Sequence, residues 1–302
     1  MKRSFSFYDV CLAPFVAVSA ISMRLVRRRR LSELPITRSV LNKAGVFPLR
    51  KHYYEPLYDA SDLRKDQEPR VLPGIDFNRE GQVALLSQLG SLPAGVEFDM
   101  SNANFGSGDA ETWYNMIRHL KPRRIIEIGS GYSTRMAALA VAANKSEDAG
   151  YSCEHICIEP YEMPWLEEIG VTVVRKKLED VDPALFSTLS RNDILFIDSS
   201  HIIRPQGEVL LEYLQILPTL ASGVVVHVHD IFSPRDYPMV WLEIPLFWNE
   251  QYLLEAFLSH NSSWTVMLGV NMMKHEQYDL LKRTCPHLTP EREPGSFYLV
   301  RN

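Results

Sequence analysis

From residue 109 onward, short apolar runs alternate with helical stretches, and that alternation leaves few folds open. The runs are Arg124–Ile128, His155–Ile158, Val171–Val174, Asp193–Ile197, Gly223–Val228, Trp264–Val270 and Ser296–Val300. Asp109 reads as the N-cap of a helix reaching Leu120, and Thr134–Ala143, Gly207–Leu217 and Asn249–Ser259 read as further helices. Gly223–Val228 is almost wholly apolar, as strands buried on both faces are. Helices between strands act as right-handed crossovers, so the strands run parallel. The expected fold is α/β: a doubly wound, mostly parallel seven-stranded sheet with an N-terminal helical and extended extension. Such sheets bind ligands beyond the carboxyl ends of their strands, which directs attention to the residues after each run.

After the first run comes Glu127-Ile128-Gly129-Ser130-Gly131-Tyr132-Ser133-Thr134. Two glycines let the backbone turn sharply and approach a ligand, and the helix start behind them favours negative charge. A dinucleotide fingerprint would place a third glycine where Thr134 stands, which argues against NAD or FAD. Glu159 follows the second run, 32 residues beyond Glu127. A carboxylate there can accept hydrogen bonds from both hydroxyls of a ribose. Leu178-Glu179-Asp180, after the third run, is a place for an adenine ring or a helix cap.

The fourth run ends in Asp198-Ser199-Ser200-His201 and the fifth in His227-Val228-His229-Asp230. Adjacent strand ends thus bring two carboxylates and two or three imidazoles towards one cleft. Alternation puts His227 and His229 on one face of their strand. His227 also suits a place inside the sheet.

The net charge of −5 is unevenly spread. Residues 1–50 hold ten Lys/Arg and two acids, a net +8, and the remainder, with 22 basic and 35 acidic residues, carries −13. An acidic body is a poor partner for nucleic acid. The organisation reads as a leader over 1–30, a proline-punctuated connector arm over 31–100 and the α/β domain over 101–302. In the leader, Lys2 and Arg3 precede a 14-residue uncharged run, Val10–Met23, which Arg24 and Arg27–Arg30 follow. That run is shorter than the ~20 residues of a spanning helix, and Pro14 would kink it. The favoured reading is a helix lying in or dipping into the cytoplasmic leaflet, arginines on anionic headgroups. A buried or partner-bound helix and a signal cleaved after Val18-Ser19-Ala20 are the alternatives. The arm carries His52, Tyr53, Tyr54 and Tyr58, which either pack over a domain or line a pocket. Four cysteines make no disulfide scaffold, and Cys153 and Cys157 lack the partners of a structural zinc site, so reduced thiols in a cytoplasmic protein are expected.

At these residues the chain resembles class I S-adenosylmethionine-dependent methyltransferases, specifically the group called methyltransferase family 24. The likeness runs from about Asn104 to Asn302. IIEIGSGYST resembles the family's cofactor motif, implying a Rossmann-like domain with Glu127, Gly129, Ser130 and Gly131 around the methionine moiety. Glu159 matches the ribose acid. FIDSSH and VHVHDIF match the substrate-side motifs, with Asp198 also beside the cofactor, and DYPMVW and WNEQYLLEAFL are similar to family sequences. Related O-methyltransferases hold a divalent metal on an Asp after strand four and an acid pair after strand five. Asp198 and Asp230 fit that pattern, but His229 replaces the first acid of the pair. Magnesium prefers oxygen ligands, so manganese, or no metal, suits this departure.

The resemblance implies methyl transfer from S-adenosylmethionine to a hydroxyl of a small molecule, sugar or glycolipid. His201 or His229 would be the base, with Asp198 or Asp230 orienting the ring. A metal on Asp198 and Asp230 would instead lower the hydroxyl pKa. Trp241, Trp248 and Tyr252 would either wall the acceptor pocket or pack in the core. The rival readings are a non-catalytic, membrane-associated S-adenosylmethionine-binding scaffold and a nicotinamide-dependent oxidoreductase. The oligomeric state is not legible in the sequence.

Overall fold

The computed structural model describes residues 6–29, 31–161, 163–244 and 246–302. Lys2, Arg3 and Arg30 of the leader lie outside the described residues. The chain divides into two compact units, residues 1–64 with 243–247, and residues 65–242 with 248–302. The expected break near residue 100 is therefore displaced to about 64. The reason is visible at Gln82: its amide donates to the Phe77 carbonyl (2.6 Å) and accepts from the Gly269 amide (2.8 Å), which fastens residues 77–88 to the sheet.

The first unit contains α1 (Phe7–Arg28) and α2 (Pro35–Ala44). The Ser6 hydroxyl caps α1 by accepting from the Asp9 amide at 3.1 Å. α1 is longer than the uncharged run, because Phe7–Asp9 and Arg24–Arg28 also take helical geometry, and it continues through Pro14. At its far end Glu55 accepts from Arg27 Nη2 (2.6 Å) and Arg50 Nε (2.8 Å), and Arg50 Nη1 donates to the Arg27 carbonyl (3.1 Å).

The second unit runs α3 (Arg79–Gln88), α4 (Asp109–Leu120), β1 (Arg124–Ile128), α5 (Tyr132–Glu147), β2 (Glu154–Ile158), β3 (Thr172–Val174), β4 (Ile194–Ile197), α6 (Glu208–Leu211), β5 (Val225–Val228), α7 (Met239–Glu243), α8 (Glu250–Leu258), β6 (Trp264–Gly269), α9 (Val270–Glu276), α10 (Tyr278–Thr284) and β7 (Phe297–Arg301). The sheet order is β3-β2-β1-β4-β5-β7-β6. Strands β1 to β5 are parallel, and β7 is antiparallel to both neighbours. This is the doubly wound, mostly parallel seven-stranded sheet that the alternation predicts.

The central strands β1, β4 and β5 are buried almost throughout, as continuous apolar runs under two helix layers require. α4 presents Trp113, Met116 and Ile117 to the core, each fully buried. Side chains of that size each stabilise the fold by roughly 1.5–3 kcal/mol. Two local readings are corrected. Asp109 does not cap α4. Gly108 holds that place, and Asp109 Oδ1 instead accepts from the Gly295 and Ser296 amides (both 2.8 Å) and the Ser296 hydroxyl (2.7 Å), just before β7. The helix expected over Gly207–Leu217 is broken: after α6, Glu212–Ile216 form a π-helical turn, and Leu217–Thr219 tighten into a 3₁₀ turn.

Where β1 ends, Gly129 has φ +78°, and a Cβ on it would stand 2.0 Å from the Asp198 carbonyl oxygen. Gly131 is extended (φ 179°), and a Cβ there would meet only the Met163 methyl at 3.7 Å. Gly129→Ala should therefore lose roughly 2–5 kcal/mol from overpacking and backbone strain together. Gly131→Ala should stay within about 1 kcal/mol. Thermal melts of the two variants test this, and equal losses would refute it.

Candidate functional site

The glycine turn after β1 is braced from beneath. Glu127 is 0% exposed, with His155 Nε2 at 2.8 Å from one oxygen and the Thr134 hydroxyl donating to the other at 2.6 Å. Thr134 in turn accepts from the Gly131 amide at 3.1 Å. Thr134, the residue that departs from the dinucleotide pattern, is thus a strut of the turn. Glu127 lies under the loop, its carboxylate engaged there. Cys157 completes a buried Glu127–His155–Cys157 group, and burial raises its thiol pKa well above the usual range.

Above the turn lies a cavity of about 500 Å³, a volume typical of a small-molecule site. Gly129, Glu159, Leu178, Glu179 and Asp198 line it, at the carboxyl ends of β1, β2, β3 and β4. Glu159 is held by the Tyr161 amide (2.9 Å) and lies 3.4 Å from the Ser130 amide. The Ser130 hydroxyl is buried, with no hydrogen-bond partner among the described residues. A Gly-rich strand-to-helix turn, a strand-end acid facing the same cavity and a spare buried hydroxyl fit S-adenosylmethionine.

Asp198 joins this cavity to a second group of residues. His201 Nε2 lies 3.3 Å from Asp198 Oδ1 and 3.5 Å from Asp230 Oδ2. His229 Nδ1 lies 3.4 Å from Asp198 Oδ1 and 3.5 Å from Asp230 Oδ1, with Asp109 3.8 Å from Nε2. All four residues expected at the ends of strands four and five are therefore in one cluster. Asp198 is 31% exposed on its side chain, while both histidines are buried. His201 and Asp230 adopt left-handed backbones (φ +59° and +57°), a strain of about 1–3 kcal/mol each that cores seldom carry and active sites often do.

The electrostatics follow from crowding. Burial opposes a charge on His201, but Asp198, Glu250 and Asp230 outweigh it and raise its pKa well above the usual imidazole value. The same contest, with Asp230, Asp198 and Asp109 as the acids, raises His229. Burial also opposes ionisation of Asp198, yet His229 and His201 hold its carboxyl below the ordinary range. Asp230 goes the other way, because burial and the charges of Asp198 and Asp109 prevail over the two imidazoles. The acids thus favour the cationic form of both imidazoles, and the imidazoles in turn favour the ionised form of Asp198.

Behind it stands a carboxylate that the sequence reading missed. Glu250, fully buried at the start of α8, takes His201 Nδ1 at 2.8 Å and accepts from the Tyr213 hydroxyl at 3.0 Å. The His201 carbonyl accepts from the Asn249 and Glu250 amides (2.9 and 3.1 Å), which pins its backbone. Tyr213 and the buried Glu212, whose Oε2 is 3.3 Å from the Ser199 hydroxyl, project from the π-helical turn. Such turns recur at functional sites because the extra residue re-aims its neighbours. The available signal for Glu250 was the WNEQYLLEAFL segment, where it was read only as a helix start.

His227 lies inside the sheet, stacked on Tyr298 (4.2 Å between ring centres) and edge-on to Phe196 (4.6 Å). Burial, with the nearby His229 charge, lowers its pKa far enough to keep it neutral. Trp248 reaches the cluster, 4.6 Å from the His201 ring, with Trp241 edge-on behind it at 5.0 Å. Tyr252 instead donates to Asp236 (2.6 Å) and lies under Arg70. Tyr53 and Tyr54, in the first unit, are 93% and 85% exposed.

Residues 126–231 match a family model described as a methyltransferase domain, that of methyltransferase family 24. An uncharacterized protein of Archaeoglobus fulgidus is 31% identical over 168 residues, which cover 47% of this chain and 74% of that protein. Among solved structures, the TDP-rhamnose 3'-O-methyltransferase CalS11 of calicheamicin biosynthesis shares 13% identity (TM-score 0.36; 64% of this chain, 76% of that one). A Plasmodium falciparum protein described as a protein-L-isoaspartate O-methyltransferase, bound to S-adenosyl-L-homocysteine, shares 14% (TM-score 0.29; 52% and 78%). Both structural likenesses are loose, and the fold rests on the strand order itself. The family match spans the glycine turn, Glu159, Asp198 and Asp230, the residues that shape the cavity and its neighbouring cluster, and so residues 126–231 belong to methyltransferase family 24, of the class I S-adenosylmethionine-dependent methyltransferases.

Proposed function

We propose that this enzyme methylates a hydroxyl group, of a small molecule, a sugar or a glycolipid, and that His201 is the base. One observation carries the reading: His201 is held from behind by buried Glu250 at 2.8 Å, while its Nε2 faces the two aspartates beside the cavity. A carboxylate on Nδ1 fixes the tautomer and leaves Nε2 for the substrate, the logic of hydrolase triads. The Nε2 contacts to Asp198 and Asp230 exceed 3.2 Å, longer than committed charge-assisted bonds of about 2.7–2.9 Å, so an acceptor hydroxyl can take their place.

Gly129, Ser130 and Gly131 would cradle the methionine end of the cofactor and Glu159 its ribose. S-adenosylmethionine supplies the methyl group on a sulfonium, which leaves as a neutral thioether. In such a transfer the carbon–sulfur bond would break as the acceptor oxygen bonds the methyl carbon, and His201 Nε2 would take the hydroxyl proton. Alignment of the two reactants supplies roughly 7–11 kcal/mol of the barrier lowering. Trp248, against the His201 ring, would exclude water from the acceptor.

A second reading has its own observation. Asp198, His201 and Asp230 offer three ligand atoms within 4.8 Å of one another. Two carboxylates and an imidazole suit manganese better than magnesium, and such an ion would supply Lewis acidity to the hydroxyl. His229, at the family's first-acid position, is not in this set. The acidic body speaks against a nucleic-acid acceptor.

Glu159→Ala should weaken S-adenosylmethionine binding about ten- to a hundredfold, the worth of hydrogen bonds to a charged acceptor. Calorimetric titration with unchanged affinity would remove the ribose assignment. His201→Ala should lower turnover about 10²–10⁴-fold while leaving cofactor affinity intact. The wild-type pH profile adds the sign. An imidazole held as its cation accepts a proton only after losing its own, so turnover should rise with pH well past 6.5 before it levels. Full activity in chelator, with that rise, favours the base. Activity lost to chelator and restored by manganese favours the metal. Normal turnover by His201→Ala would end both readings.

A further inference from the structure

We infer that α1 crosses a lipid bilayer and that its arginine end sits in an anionic headgroup layer. A helix lying on a membrane needs one charged face. α1 has none between Val10 and Met23. An 18-residue stretch of it has a mean hydropathy of 1.7, and none of its residues is buried among the described residues. Phe7, Tyr8, Val10, Leu12, Phe15, Val16, Val18 and Ile21 are all exposed, and at 100° per residue they are spread around the cylinder. A helix that is apolar all round belongs in a core or a membrane, and among the described residues no side chain of α1 is buried. At ~1.5 Å per residue its 18-residue apolar stretch extends about 27 Å, close to a hydrocarbon thickness of about 30 Å. Ser22 donates its hydroxyl to the Val18 carbonyl (2.9 Å), so that polar group is satisfied without water. Pro14 is tolerated in spanning helices.

The C-terminal end has the opposite character. Arg24, Arg27, Arg28 and Arg29 follow Met23 within two turns. Glu55 pairs with Arg27 and Arg50, while Arg24 and Arg28 have no acidic partner among the described residues. Beside this end lies a groove of about 790 Å³ between the helix and residues 48–52. Phe15, Val16, Ala20 and Met23 make its apolar wall, and Arg24 and Arg28 follow them along the helix. That polarity matches one anionic phospholipid, its acyl chain along the wall and its phosphate on the two arginines. The exposed Tyr53 and Tyr54 follow in the chain directly, as aromatic residues do at the membrane interface. By the rule that basic flanks stay inside, the methyltransferase domain faces the cytoplasm.

The full-length chain tests this. In cells it should sediment with membranes and resist alkaline carbonate. Purified and reconstituted, it should float with phosphatidylcholine vesicles and partition more strongly when phosphatidylglycerol is added. Arg24→Gln and Arg28→Gln should each weaken that added partition about fivefold and leave binding to pure phosphatidylcholine unchanged. Val16→Asp should make the chain carbonate-extractable with an unaltered thermal melt of the sheet domain. Release of the wild type by carbonate, equal flotation of the arginine variants, or a mature chain beginning after Ala20 would each overturn the inference.

Discussion

Four carboxylates, Asp109, Asp198, Asp230 and Glu250, converge on two imidazoles in a largely buried volume, and this crowding must be neutralised for the fold to persist. Uncompensated buried charges cost far more than a domain's net stability. His201 and His229 meet the requirement, each drawn toward its cationic form by the acids around it. The same demand makes the cluster receptive to a hydroxyl proton or a divalent ion. The feature that threatens stability is thus the one to which we assign the chemistry, and the surrounding elements serve to hold it.

The sheet explains why these residues meet. β4 and β5 are parallel neighbours, so Asp198 and Asp230, which follow them, emerge along one edge. β1 lies on the other side of β4, and Gly129 lets its turn close on the Asp198 carbonyl. Asp198 therefore belongs both to the cofactor cavity and to the histidine cluster. That shared position is what a transfer between two bound molecules needs.

The two units obey different physics. In the sheet domain, apolar strands are removed from water by helices of the same unit. In the first unit, α1 leaves its apolar surface uncovered and gathers its charge at one end. Our inference that this helix crosses a bilayer rests on that difference.

Much of this was legible in the sequence, because strand period, glycine turns and apolar runs are local signals. The order of strands and helices, the glycine turn, Glu159 at a strand end and the Asp/His pairs of β4 and β5 all follow from such signals. Strand boundaries moved by only a residue or so. What tertiary structure alone decided is contact between residues far apart in sequence. Glu250 stands behind His201 from 49 positions away, and Asp109 reaches the start of β7 across 187. Each was readable locally only as a helix start, since an acid in a first turn satisfies the helix dipole equally well. The π-helical turn that aims Tyr213 had no sequence signature either, because inserting one residue changes direction without changing composition. Periodicity along the chain determines which elements form, but which buried acid meets which imidazole depends on how those elements pack.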